Sequence, residues 1–154
     1  DEEARLAMAN ASLLAGVAFS NSMVGIVHAM GHACGGVSRA PHGDCMTILL
    51  PYGMEYNLSA VSEYYARLLL PLAGAEVYAH TPAPERASKS IDTVREMTEN
   101  YNKICGLPTR LSEVGVKKDD LPKIARVAIN DGAIIVNPVE ASESDVLGIL
   151  EKAF

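Results

Sequence analysis

Charged side chains are missing from one long stretch of this 154-residue sequence: between Leu6 and Ser38 there is no Asp, Glu, Lys or Arg. A stretch of that length has room for an apolar membrane span. Polar residues such as Asn10, Ser20 and His28 interrupt it, and each is costly in hydrocarbon unless it is paired. The centre of a helical bundle also requires a helix that is apolar on every side. We therefore expect a buried helical stretch and no membrane partner.

Basic runs are also missing, although the chain carries 13 Lys and Arg residues against 19 Asp and Glu, for a formal net charge of -6. Without a cluster of cations interleaved with aromatic residues, the surface has nothing to track a phosphate backbone, which argues against a nucleic-acid partner. Hydrophobic residues make up 49% of the sequence, a fraction typical of a compact globular protein. The length fits a single domain.

The cysteines Cys34, Cys45 and Cys105 show no C-x-x-C spacing, and an odd number of them does not suit a disulfide framework. We expect small core residues in a reducing, cytoplasmic compartment. The chain opens with DEEAR, which lacks Met and has the wrong charge for the start of a signal peptide, so we expect an internal start.

The pattern of apolar, capping and breaking residues predicts an all-α protein, one domain of about seven helices. The first helix is expected over about residues 2–19, with acids in its opening turn. Residues 20–22 (SNS) offer N-cap side chains for a second helix, which would run from about Met23 and stop at Gly35 and Gly36. His28 and His32 then share one face of that helix.

Proline and glycine divide the remainder of the chain into five further helices. Pro41 marks the start of the third, and Pro51 predicts a kink within it. SAVSEYYARLLLPLAG indicates the fourth. The fifth ends at Gly106, with a predicted buried stripe of Ile91, Val94, Met97, Tyr101 and Ile104. KKDDLPKIARVAIND and SESDVLGILEKAF, the latter with a capping-box start, indicate the last two. The strand-like run GAIIV is expected to be a short extended or loop segment.

Three of the four histidines, His28, His32 and His42, lie within fifteen residues of each other in this apolar region. A single buried histidine is often a core residue with satisfied hydrogen bonds, and His80 is expected at the solvated surface. Three together are better explained by a metal, which takes the imidazole lone pairs directly, and H-x-x-x-H on one helix face is a workable ligand spacing. From the residues alone, which two or three of them bind stays open.

The run GIVHAMGHACGGVSRAPHG, followed by ILLPYGMEYN, resembles the signature of the iron-containing (group III) alcohol dehydrogenase family. GLPTRLSEVGV, the segment DDLPKIARVAIND and Asn137-Pro138 follow in the order of that family, so the resemblance covers essentially the whole chain. It implies that residues 1–154 form the C-terminal, metal-binding helical domain of a dehydroquinate synthase-like fold. The N-terminal nucleotide-binding domain is absent from this chain, as is any Gly-rich pyrophosphate-binding loop.

The resemblance also implies roles for the three histidines. His28 and His42 match two of the metal ligands, while the remaining Asp and His ligands of the family would lie before Asp1. His32 matches the histidine beside the nicotinamide, which gives it a cofactor contact and a catalytic role in passing the alcohol proton to solvent.

Two further positions match the substrate pocket of the family. Phe19 corresponds to an aromatic that lines the pocket, and Ala133 stands at the pocket mouth where several relatives have Cys. Val139 follows Asn-Pro where Arg is usual. Because Ala133 and Val139 depart from the family pattern, the resemblance leaves the size of the substrate open.

By this resemblance the parent protein is an alcohol dehydrogenase that interconverts a small primary alcohol and an aldehyde, with NAD or NADP as hydride carrier. Fe(II) is the implied metal, and Zn(II) suits the same ligands at least as well by the usual affinity order. A homo-oligomer is expected, and the isolated chain is expected to be inactive. Two alternatives remain: a zinc polyol dehydrogenase of the glycerol type, and a non-catalytic helical module with structural histidines.

Overall fold

The computed structural model describes all 154 residues and confirms the all-α fold class, with no strand anywhere in the chain. Six α-helices follow one another as α1 (Glu2–Ser22), α2 (Ile26–Ser38), α3 (His42–His80), α4 (Arg86–Cys105), α5 (Leu121–Ala128) and α6 (Glu143–Ala153). Short 3-10 helices occupy the connections at Ala83–Glu85, Leu111–Val114, Lys118–Asp120 and Gly132–Val136. The last of these replaces the extended or loop segment expected for GAIIV.

The predicted third and fourth helices are joined as α3, which is 39 residues long and is interrupted at two places. Non-helical backbone angles occur at Val61 (φ -130°, ψ 23°) and at Gly74 (φ 87°), while Pro51 lies inside the helix. Proline fixes φ near a helical value, so Pro51 removes one hydrogen bond without forcing the backbone out of the helical region. The breaks lie at Val61, close to the boundary expected between the two helices, and at Gly74; the backbone angles show no break at Pro51, where a kink was predicted.

Helix α2 lies at the centre of the hydrophobic core. Its residues Ile26, Ala29 and Met30 are at most 1% exposed, and α3, α5 and residues 132–136 pack around it. α5 and α6 complete this core with fully buried aliphatic side chains, among them Ile124 and Leu150. For α2 the expected burial of the uncharged stretch is confirmed.

Helix α1 behaves differently, because no other element of the chain packs extensively against it. None of its residues is buried, and Leu6, Leu13, Leu14 and Phe19 are each more than half exposed. The expected burial is therefore wrong for this half of the uncharged stretch. No single helix is long and apolar enough to cross a membrane; α1 and α2, bent by 107°, satisfy length and composition only as a pair.

Both predicted ends of α2 are shifted. The side chains of residues 20–22 bond back to carbonyls four residues earlier and so belong to α1, as Ser hydroxyls in helices often do. Gly25 is the N-cap of α2 instead. Gly35 and Gly36 lie inside the helix, which ends where Arg39 adopts the left-handed conformation at φ 58°.

Helix α4 is buried only in its first half, where Ser90 donates to the Tyr65 carbonyl of α3 at 2.7 Å. Ile91 is buried as predicted, but Tyr101 is 51% and Ile104 77% exposed, so the buried stripe is wrong for the second half. Gly106 ends the helix as predicted, in the left-handed conformation.

Of the remaining local predictions, some are confirmed and others are wrong. The capping box of α6 is confirmed, since the Asp145 N–H donates to Ser142 Oγ at 3.2 Å and the Ser142 N–H donates to Asp145 Oδ2 at 2.9 Å. Cys34 and Cys45 are buried, whereas Cys105 is exposed and is not a core residue. His80 is exposed as expected, at the end of α3 and not in a loop.

The crossing of α2 over α3 depends on the missing side chain of Gly53. A Cβ built there would lie 2.4 Å from Val27 Cγ2 and 3.4 Å from Ile26 Cγ2, both on stiff β-branched side chains. We expect Gly53→Ala to lower the free energy of unfolding by about 1–3 kcal/mol through overpacking, even though Ala is the better helix former. Urea unfolding followed by circular dichroism measures this.

Gly148→Ala in α6 is the matched control, because a Cβ there would meet nothing within 4 Å. It should leave the stability unchanged or raise it by about 0.5–1 kcal/mol. Equal effects of the two substitutions would contradict the close approach of α2 and α3.

Candidate active site

The structure brings His28, His32 and His42 together in a nearly equilateral triangle. The ring centroids of His28 and His32 are 5.8 Å apart, and His42 lies 5.6 Å from each of them. α2 supplies the first two, one turn apart. The third is the first residue of α3, which Arg39 and the N-cap residue Pro41 turn back toward α2.

A pair of asparagines anchors the first turn of α2 and thereby places His28. Asn137 Oδ1 accepts the Ile26 N–H at 3.0 Å and the Asn57 side-chain amide at 2.9 Å. Asn137 donates in return to Asn57 Oδ1 at 2.8 Å and to the Val139 carbonyl at 2.7 Å. Gly25 is needed here, because a Cβ at this position would lie 2.7 Å from Asn137 Oδ1.

The environment of His28 favours the neutral imidazole. Its pKa is held below the usual value, first by burial and then by the positive charge that His32 and His42 carry when protonated; Asp131 opposes this in part. A neutral ring keeps the lone pair that a metal ion requires, so His28 is suited to coordination at neutral pH.

The distance between His28 and His42 also fits a shared metal ion. Two imidazoles on a tetrahedral ion, with metal–nitrogen distances of about 2.0–2.1 Å, have ring centroids about 5 Å apart. The observed 5.6 Å is close to this, and because the other two pairs are 5.6 and 5.8 Å apart, the choice of His28 and His42 rests on the resemblance and not on the distances. No group of three or more His, Cys, Asp or Glu side chains in the chain is arranged to hold a metal. An ion on these two rings would therefore take its remaining ligands from outside the chain.

Asp131 is the residue of the site that the sequence did not point to. Its Oδ2 lies 3.0 Å from His32 Nδ1, and its Oδ1 accepts the Ala133 N–H at 2.8 Å. In the sequence Asp131 precedes a glycine after a helix and looks like an ordinary cap or turn residue. The 99 residues between it and His32 leave no spacing pattern from which the pairing could be read.

The two predicted pocket residues differ in position. Ala133 is buried, and its N–H donates to Asp131, the residue two positions earlier that contacts His32. Phe19 lies on the exposed helix α1, and its side chain is 52% exposed. A substrate-pocket role for either residue stays a prediction.

A separate groove of the surface lies away from the histidines. It has a volume of about 370 Å³ between α3, α4 and the end of α6, and it contains no histidine. Two of its cations, Lys103 and Lys152, lie in the last turns of α4 and α6, where they complement the helix dipoles. A smaller cavity of about 280 Å³ borders the triangle, with His28, Val27 and Met46 in its lining.

The family model for the C-terminal part of the Fe-containing alcohol dehydrogenase family matches residues 1–154. The 1,3-propanediol dehydrogenase of Klebsiella pneumoniae is 37% identical over 152 residues, 99% of this chain and 38% of that protein. The NAD-dependent methanol dehydrogenase of Bacillus methanolicus is 37% identical over 155 residues, 99% of this chain and 39% of that protein.

Solved structures that resemble this fold are also alcohol dehydrogenases. The alcohol dehydrogenase from Oenococcus oeni superposes with a TM-score of 0.83 at 35% identity, over 99% of this chain and 38% of that one. The chain thus spans less than two fifths of the length of the relatives it matches.

Removal of the Asn137 side chain should loosen the start of α2. Asn137→Ala leaves the Ile26 N–H and the largely buried Asn57 amide without partners, which we expect to lower the free energy of unfolding by about 1–3 kcal/mol. Asn137→Asp keeps the acceptor for both donors but turns a carboxylate oxygen toward Asn57 Oδ1 and the Val139 carbonyl, so it should also lower the stability. Denaturant unfolding of both variants provides the measurement, and a wild-type stability of Asn137→Ala would contradict the anchoring of α2 by this side chain.

Proposed function

The chain belongs to the iron-containing alcohol dehydrogenase family, and from that membership we propose that it is the helical metal-binding domain of an enzyme that interconverts a small primary alcohol and an aldehyde with NAD or NADP. The observation that carries the proposal is the histidine triangle, with centroids 5.6–5.8 Å apart, formed by the motif that resembles the family signature. The hydride acceptor would bind in the part of the protein upstream of this chain.

His28 and His42 are the residues that would hold the metal, with the remaining ligands supplied by the upstream part. Fe(II) is the metal that the family name implies, while Zn(II) suits neutral imidazoles at least as well by the usual affinity order. When bound, the ion would polarise the alcohol oxygen and stabilise the negative charge that develops on it. The anchored first turn of α2 positions the His28 ring, and its lowered pKa favours the neutral form that binds a metal.

His32 would act beside the metal as the contact to the nicotinamide and as the relay of the alcohol proton. Its side chain is 42% exposed, so a proton accepted on the ring has a direct path to water. Phe19 and Ala133 would line the substrate pocket. We place the enzyme in the cytoplasm as a homo-oligomer; the three free cysteines support a reducing compartment.

Two other functions predict different results in assays of metal content and alcohol turnover. A zinc polyol dehydrogenase of the glycerol type would show stoichiometric Zn and turnover of polyols in preference to simple primary alcohols. A non-catalytic helical module with structural histidines would show neither metal nor turnover. A panel of alcohols with metal analysis on the protein at its native length distinguishes the three.

Substitution of each histidine in the native-length protein tests their separate roles. His28→Ala and His42→Ala should each lose the metal, because deletion of a ligand opens the coordination sphere to water. His32→Ala should keep its metal, while alcohol oxidation at neutral pH falls by about 10²-fold or more, as is typical of a lost acid–base group. Metal analysis and steady-state kinetics give both numbers. A metal-free His32→Ala protein would refute its place outside the coordination shell.

The 154-residue chain on its own should bind metal weakly and show no NAD- or NADP-dependent turnover. Two imidazoles supply only part of the three or four protein ligands of a usual site, and no larger donor set is present in the chain. Dialysis against a mild chelator followed by metal analysis measures the first expectation, and a cofactor absorbance assay the second. Stoichiometric metal after dialysis would show that the ligands have been miscounted.

A further inference from the structure

We propose that Asp131 is a positioning residue for His32: its carboxylate holds the ring in the tautomer with the proton on Nδ1 and thereby keeps the Nε2 lone pair free to accept the alcohol proton. The inference rests on the relay role proposed above for His32. It adds a residue that neither the motif nor the resemblance indicates.

The carboxylate of Asp131 is held from both sides. Oδ2 faces His32 Nδ1 at 3.0 Å, and Oδ1 accepts the Ala133 N–H at 2.8 Å. The Asp131 N–H donates to the Ala128 carbonyl at 3.0 Å, which fixes the backbone at the end of α5. An ionised carboxylate can only accept hydrogen bonds, so the short contact requires that Nδ1 carry the proton.

Packing holds the two partners at this distance. α5, which carries the fully buried residues Ile124, Ala125 and Ala128, lies against α2, and the 3-10 helix that follows Asp131 also contacts α2. His32 lies on α2, and Asp131 lies between α5 and the 3-10 helix, which both pack on α2, so a shift of either backbone would disturb buried side chains. An ion pair between two mobile surface side chains has no such support.

The same contact is compatible with two other roles, and both are testable. A metal-ligating histidine usually donates its second ring N–H to a carboxylate, so the pair would look alike if His32 bound the metal through Nε2. Asp131 also caps the 3-10 helix, so the contact with His32 could be incidental to that cap. The exposure of His32, which opens its ring to water, favours the relay.

Asp131→Asn in the zinc-loaded, native-length protein separates these roles. Its side-chain oxygen would stay on the Ala133 N–H, which turns the amide NH₂ toward His32 and demands an unprotonated Nδ1. We expect the proton of His32 to move to Nε2, seen by long-range ¹H–¹⁵N correlation with the His32 signals assigned from a His32→Gln sample. We expect kcat for alcohol oxidation to fall by about 10²-fold or more, the loss typical of an absent acid–base group, with KM and metal content little changed.

Asp120→Asn is the matched control. Asp120 also bonds to α2, through the Ser38 hydroxyl at 3.3 Å, but it does not touch His32, so both the tautomer and kcat should remain as in the wild type. Asp131→Glu keeps the carboxylate and should restore part of the lost rate.

Two results would refute the positioning role of Asp131, and a third would refute only the relay role of His32. An unchanged tautomer in Asp131→Asn would show that Asp131 is only a helix cap, and a loss of metal by about 10–100-fold in affinity would show that His32 is a ligand; either refutes the inference. If the tautomer changes as expected but neither Asp131→Asn nor His32→Ala lowers kcat, the positioning by Asp131 stands and the relay in the proposed function fails.

Discussion

The site depends on how tightly α2 is enclosed. This helix has almost no solvent-facing side apart from the face that carries the histidines, because α3 approaches it where Gly53 has no side chain and α5 covers it with small and aliphatic residues. Close packing leaves such a helix little freedom to rotate or translate. Two of the three imidazoles, His28 and His32, are thereby fixed by a helix that is part of the core, which is a firmer support than a loop provides.

The segment of residues 131–139 contacts α2 at two places, near His28 and at His32. Asn137 holds the first turn of α2 and so places His28, while Asp131 meets His32 one turn further along the same helix. The segment is short and carries only one 3-10 helix, yet its polar side chains provide what apolar packing lacks: hydrogen bonds with direction. Positioning of the proposed metal ligand and of the proposed proton relay therefore comes from one piece of chain that is more than ninety residues away in sequence.

The proposed chemistry is divided among the residues by their surroundings. His28 lies partly buried among other imidazoles, which lowers its pKa and favours the neutral ring. His32 is more open to water and faces a carboxylate, which suits an exchange of protons with solvent. The two side chains lie on one helical face, but different residues surround them: the asparagine pair anchors the turn of His28, and Asp131 contacts His32.

The sequence by itself determined the features that depend on neighbouring residues: the helical class, the capping box of α6, the end of α4 at Gly106 and the grouping of three histidines on H-x-x-x-H and Pro-His-Gly. Such features follow from backbone preference and local spacing. The tertiary structure decided which part of the uncharged stretch is buried, since α1 and α2 both contribute to that stretch but only α2 has partners on its sides. It alone also joined Asp131 to His32 and Asn137 to Ile26, because a hydrogen bond needs two atoms within about 3 Å, and only the packing of α5 and the following segment on α2 brings such distant residues that close.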